Sequence, residues 1–300
     1  SAVVFENSNI SYTSATFDSS NNKVVVAYKD GGNSGYGTAV VGTVSGTSIS
    51  FGTPVVFEAA TIYYSSITFD SNSNKVVIAY RDDGNSNYGT AIVGTVSGTG
   101  ISFGSPAVFE SAGINYTGIT FDSNSNKVVI AYRDDGNSSY GTAVVGTVSG
   151  TNISFGTPVV YESATVALPS ITFDSNSNKV VVAYAVGFSN GSNVGTVSGT
   201  NISFGSKVTF YGGEITSPAI TFDSNTNKVV IAYRAVSTGD GNAVVGTVSG
   251  TSISYGTIVD FNTTATSGYP TEKISATFDS NANKVVFAYR TQSAAGYTGA

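Results

Sequence analysis

Ile67-Thr-Phe-Asp-Ser-Asn-Ser-Asn-Lys-Val-Val-Ile-Ala-Tyr80 is one of six near-copies of a single line in a chain of 300 residues. The phenylalanines of that line are Phe17, Phe69, Phe121, Phe173, Phe222 and Phe278, spaced 52, 52, 52, 49 and 56 residues apart. A period near 50 residues with only strand-like content predicts a propeller or another array of repeated sheets. Within the line, Asp70-Ser-Asn-Ser-Asn-Lys75 is made of residues that bond their own backbone and tolerate left-handed geometry, so it reads as a tight turn. The run from Lys75 to Tyr80 is almost continuously apolar, as in a strand covered on both faces.

Outward from that line, each repeat divides into four strands. In the second repeat these are A (Ser66 to Asp70), B (Lys75 to Tyr80), C (Gly89 to Val96) and D (Ile101 to Phe109). Arg81 to Tyr88 forms the B–C loop, and Ser97-Gly-Thr-Gly100 forms the C–D turn. Pro106 falls inside D, as Pro54 and Pro158 do in their repeats. A proline cannot donate to a ladder, so D is expected at an edge. Four antiparallel strands ending in an edge strand describe a propeller blade. The predicted fold is therefore all-β: a six-bladed β-propeller filling residues 1–300 as a single domain. A parallel β-solenoid is the rival, but its coils are usually shorter and lack hairpin turns. Val3-Val-Phe5 aligns with Val55-Val-Phe57, so residues 1–6 are expected to close the ring as the last D strand. Ala300 aligns with Ala91, which leaves the sixth blade incomplete and predicts a longer parent chain or assembly.

Composition removes several chemistries. Cys and His are absent. Without them there are no disulfides, thiolate or imidazole metal sites, Cys nucleophiles or Ser-His-Asp triads. The net charge is −6 with 11% charged residues, which gives no basic track for a nucleic acid. No segment approaches 18 continuous apolar residues, so no membrane insertion is expected. No cofactor is implied. The neutral, hydroxyl-rich surface suggests an extracellular or virion-surface setting.

Differences between the copies concentrate in the B–C loops and the D-to-A links, which share one face of a propeller blade. Binding residues often ride on loops of a rigid scaffold, so that face is the candidate ligand surface, above all in the last three repeats. Lys29, Arg81, Arg133, Arg234 and Arg290 hold one position, directly after the Tyr of strand B. They could grip carboxylate, sulfate or phosphate groups. In the first three repeats adjacent aspartates (Asp30, Asp82, Asp83, Asp134 and Asp135) could instead neutralise them locally. Arg234 and Arg290 lack an adjacent acid, which favours them as ligand contacts. Tyr63, Tyr64, Tyr88, Tyr116, Tyr140, Tyr269 and Tyr297 lie in the variable segments, where a flat apolar ring with a polar tip suits a sugar or a protein partner. They could equally cover blade junctions. Tyr80 and its counterparts recur in every repeat and read as core. Asp70, Asn72 and Asn74 resemble half of a calcium loop. Lys75 stands where that loop needs Gly, and no Glu closes it, so a plain hairpin turn is expected. Among non-repeating acids, Glu214, Asp240 and Glu272 could serve a glycosidase only if two of them faced one bond. The Ser-x-Asp-x-Gly-x-x-Trp signature of six-bladed sialidases is absent.

The segments Asn74 to Asn85 and Gly94 to Gly104, repeated through nearly the whole chain, resemble blade repeats of phage tail-fibre-like and bacterial surface proteins. The resemblance implies a structural or host-recognition module, with no catalytic residues to carry over. Together these readings predict a non-enzymatic binding module for a surface glycan or a protein receptor. A purely structural fibre module and a carbohydrate-active enzyme are the alternatives.

Overall fold

The computed structural model describes residues 2–263, 270–293 and 296–299. Strand accounts for 69% of it, with no α-helix among the described residues. Among the described residues no helix is long and apolar enough to cross a membrane. Backbone packing divides the chain into two compact units: Ser1–Val159 with Gly199–Asn201, and Val160–Ser198 with Ile202–Ala300. The first holds repeats 1 to 3 and the second repeats 4 to 6.

In the first unit, repeat 2 shows the construction. Val55–Asp70, Lys75–Asp82, Tyr88–Ser97 and Gly100–Phe103 are its strands. They pair antiparallel, with Phe69 opposite Val76, Ile78 opposite Ile92 and Val96 opposite Ile101. Strand B is buried on both faces, as its apolar run requires. Val76, Ile78 and Tyr80 pack against Val25, Ala27, Ala39 and Val41 of repeat 1. Val77 and Ala79 pack against Val128, Ile130 and Tyr132 of repeat 3. The hydrophobic core is thus a series of layers between successive sheets. Each A–B turn is fixed by its aspartate: the Asp70 carboxylate accepts from the backbone N–H groups of Asn72 at 2.9 Å and Ser73 at 3.0 Å. Asn74 closes the turn at φ +55°, a conformation asparagine tolerates. Asp70 pairs with Lys75 across the ladder, so the turn is a hairpin turn.

A second recurrent device is aromatic. Phe57 lies 5.3 Å from Tyr80 and 5.6 Å from Phe103, and Phe109 stands likewise on Tyr132 and Phe155. Gly89 makes room for the ring, since a Cβ there would meet Phe109 at 2.4 Å. In the second unit Tyr161 stacks on Tyr184 and Phe204, and Phe210 on Tyr233 and Tyr255. Tyr28, Tyr80, Tyr132, Tyr184 and Tyr233 are fully buried, as expected for the strand B tyrosines, whereas Tyr289 of repeat 6 is only half-buried.

Three sequence expectations change. Strand D is not continuous: Pro54 and Pro106 lie in breaks between Ser48–Phe51 and Val55–Asp70, and between Gly100–Phe103 and Ala107–Asp122. The break tucks Gly52 beneath the next repeat, where a Cβ would strike the Thr99 carbonyl oxygen at 2.0 Å. The D-to-A links of the first two repeats are not loops, because Val55–Asp70 and Ala107–Asp122 each run on as one strand of 16 residues. Finally, the first described strand begins at Ile10, so residues 2–6 form no strand. Phe5 nevertheless stacks 5.4 Å from Tyr28 and 5.3 Å from Phe51, the place that Phe57 holds in the next repeat.

In the second unit, Ala167–Asp174, Lys179–Ala185 and Asn190–Ser198 form the ladder of repeat 4, and Ile215–Asp223, Lys228–Ala235 and Gly241–Ser249 that of repeat 5. Thr271–Asp279 pairs with Lys284–Ser293 in repeat 6.

Candidate ligand-binding site

Each A strand carries one extra residue, a β-bulge, at the same distance before its phenylalanine. The bulged residues are Tyr12, Tyr64, Tyr116, Leu168, Ser217 and Lys273, all with φ between 51° and 54°. Left-handed backbone is rare for a bulky residue and tends to mark sites whose geometry is imposed by the surroundings. Here neighbouring repeats impose it. The Ser65 hydroxyl donates to the Tyr12 carbonyl, and the Thr117 hydroxyl to the Tyr64 carbonyl. In repeats 2 and 3 the residue after the bulge therefore holds the bulge of the repeat before it.

In the first unit this places tyrosines side by side. Tyr12 and Tyr64 have ring centroids 5.0 Å apart, Tyr64 and Tyr116 4.8 Å, and Tyr12 and Tyr63 5.4 Å. Tyr12 is exposed, while Tyr63, Tyr64 and Tyr116 are half-buried. Burial raises the phenol pKa of Tyr12 and Tyr64, so both remain neutral hydroxyl donors. The cations at the end of strand B pack onto this row. Lys29 Nζ lies 3.6 Å from the centre of the Tyr63 ring, Arg81 lies 5.1 Å from it, and Arg133 lies 5.1 Å from that of Tyr116. Such contacts stabilise by about 0.5–1 kcal/mol at exposed sites.

The guanidinium groups also have polar partners. Arg81 donates through Nε to Asp83 at 2.9 Å, through Nη2 to Asn87 at 2.9 Å, and through Nη1 to Asn115 at 2.9 Å. Asn115 donates onward to Asp135. Asp135 also accepts from Arg133 Nε at 2.6 Å and Nη2 at 3.3 Å. Local neutralisation thus holds for Arg81 and Arg133 through Asp83 and Asp135. Asp82 and Asp134 are buried, and Asp134 accepts from the Asn137 N–H at 3.1 Å, capping its own loop. Burial raises the pKa of both carboxyls.

Of the residues singled out by sequence, Arg81, Arg133, Tyr64 and Tyr116 converge here with Tyr63 and Lys29. Tyr88 and Tyr140 begin their C strands, half-buried, and neither has a ring partner among the described residues. Tyr269 lies outside the described residues. Arg234 and Arg290 lie in the second unit. No acid is adjacent to them in sequence, but Glu272 supplies one in space: its carboxylate accepts from Arg290 Nη2 and stands 3.7 Å from Arg234 Nη1. That acid comes from strand A of repeat 6, not from the loops beside the arginines. Tyr12, Asn87 and Asn115 were missed. Tyr12 was detectable, because Tyr12, Tyr64 and Tyr116 each stand five residues before the phenylalanine of their line.

No protein-family model matches the chain, and no curated protein matches it. Solved structures do. A triple arginine-to-alanine variant of AofleA from Arthrobotrys oligospora superposes with a TM-score of 0.64 at 9% identity, over 96% of this chain and 81% of that one. A protein of unknown function from Dyadobacter fermentans gives 0.64 at 12% identity, over 99% and 96%. NanB with Optactamide gives 0.62 at 11% identity, over 95% and 65%. The shared feature is the fold, all-β and propeller-like. At these identities the likeness extends no further than that.

Proposed function

We propose that this chain is a non-enzymatic binding module that recognises glycans on a cell or virion surface, and that its six repeats are the blades of one propeller. The observation that carries the reading is the row of partly exposed tyrosines, Tyr12, Tyr63, Tyr64 and Tyr116, in mutual contact and braced by Lys29, Arg81 and Arg133. Aromatic faces with hydroxyl tips bind sugar rings through their apolar C–H faces while satisfying sugar hydroxyls. Braced rings lose little conformational entropy on binding. Each contact is shallow, so avidity comes from presenting several modules on one assembly. Among the non-repeating acids, Glu272 is tied to two arginines, which favours binding over glycosidase chemistry.

The test is a glycan array, followed by calorimetry on the best neutral sugar. Tyr64→Ala and Tyr116→Ala are each expected to weaken binding about tenfold or more, the loss of roughly 1.4 kcal/mol, with an unchanged melting profile. Binding that survives both changes would refute the site. An array with no signal would favour the purely structural reading.

A further inference from the structure

The second unit holds a charge arrangement that the first does not. Arg234 ends strand B of repeat 5, and Glu272 belongs to strand A of repeat 6, paired with Arg290. Glu272 therefore lies between two guanidinium groups, one from each repeat. It is hydrogen-bonded to Arg290, whereas its 3.7 Å separation from Arg234 Nη1 is longer than a hydrogen bond. Arg234 Nε is buried and has no hydrogen-bond partner among the described residues. Glu272 is also the one carboxylate among them within ion-pair reach of Arg234. Glu272 thus faces both guanidinium groups, and the bulge residue that follows is another cation, the exposed Lys273. By contrast, Arg81 donates from all three of its nitrogens.

A guanidinium held at a partly exposed position with an unused buried donor is an incomplete fork, and its chemical complement is a planar or tetrahedral oxyanion. We infer that Arg234 and Arg290, bridged by Glu272, form a subsite for the carboxylate or sulfate group of an acidic sugar. The subsite is distinct from the tyrosine row of the first unit, and its sugar specificity rests on the glycan-binding reading above. Glu272 sets its strength by competing with the incoming anion.

The probes are glucuronate, glucose as the neutral control, and inorganic sulfate as a bare anion, titrated by calorimetry or NMR. Glucuronate is expected to bind about tenfold more tightly than glucose. Arg234→Gln should remove that advantage, and Glu272→Gln should enlarge it by removing the competitor. Equal binding of glucuronate and glucose, or an advantage that Arg234→Gln does not reduce, overturns the subsite. Arg234-dependent binding of sulfate without glucuronate retains the anion site and overturns its assignment to a sugar, which is the outcome expected if the glycan reading itself fails. Should Arg234→Gln not fold, Glu272→Gln decides: no gain in anion affinity there overturns the proposal.

Discussion

Repeats 1 to 3 and repeats 4 to 6 use one backbone for two surfaces. The bulge recurs in both units with φ held between 51° and 54°. In the first unit it carries Tyr12, Tyr64 and Tyr116, and in the second Leu168, Ser217 and Lys273. The residue one step earlier meets the cation of the preceding repeat. Tyr63 offers Lys29 a ring, Asn115 offers Arg81 an amide oxygen, and Glu272 offers Arg234 a carboxylate. A position whose backbone is fixed while its side chain changes from aromatic to apolar to charged is not needed by the scaffold in any one form. That combination, more than loop variability, marks the positions free to take up function. The aromatic cluster lies in the first three repeats, where the copies differ less, while variability between copies is greatest in the last three.

If the scaffold is common to both units, removing its aromatic key should cost the same in each. Phe57 and Phe210 are both buried and both stand on two aromatic rings. Phe57→Ala and Phe210→Ala are each expected to cost about 3–5 kcal/mol, the usual penalty for a large core cavity. Urea unfolding measures it. A difference of more than about 2 kcal/mol between the two variants would mean that the units do not share one packing rule.

The hydroxyl latch separates the units next. Ser65 and Thr117 hold the bulge carbonyls of the first unit, whereas Pro169 and Pro218 stand at that position in the second. Thr117→Val keeps the shape and loses the donor, for about 1 kcal/mol. It should also loosen Tyr64, so sugar affinity falls together with stability. Stability lost without any change in affinity would show that the latch serves the fold alone.

What the sequence revealed divides along the same line. The period, the Asp-fixed turns and the buried strand B tyrosines were legible because each depends on residues a few positions apart. Tyr12 was overlooked for lack of any local peculiarity, although its offset from Phe17 was available. The bulge itself was not legible, because one added residue in a strand leaves no compositional trace. Nor were the contacts of Arg81 with Asn115 or of Arg234 with Glu272, separated by 34 and 38 residues. They arise only when one repeat is laid against the next.

The smallest expected effect concerns pH. In the first unit the Tyr80 hydroxyl donates to Glu58 at 2.9 Å, and that of Tyr132 to Glu110 at 3.0 Å. Repeats 5 and 6 place Tyr211 and Asn262 after the matching phenylalanine, and neither is a carboxylate. Burial raises the pKa of Glu58 and Glu110 above the ordinary 4.5, more than the tyrosine hydrogen bonds lower it. A raised carboxyl favours the folded state when protonated. Its contribution is complete below about pH 4.5 and is lost as pH climbs through the raised native value. Glutamine in both places keeps an acceptor for each phenol and removes the charge. The double variant Glu58→Gln, Glu110→Gln should therefore be more stable than the parent at pH 7, with the difference shrinking as pH falls towards 4.5. Melting temperatures across that range measure it. A difference that grows as pH falls would mean that the tyrosine hydrogen bonds outweigh burial at these two glutamates.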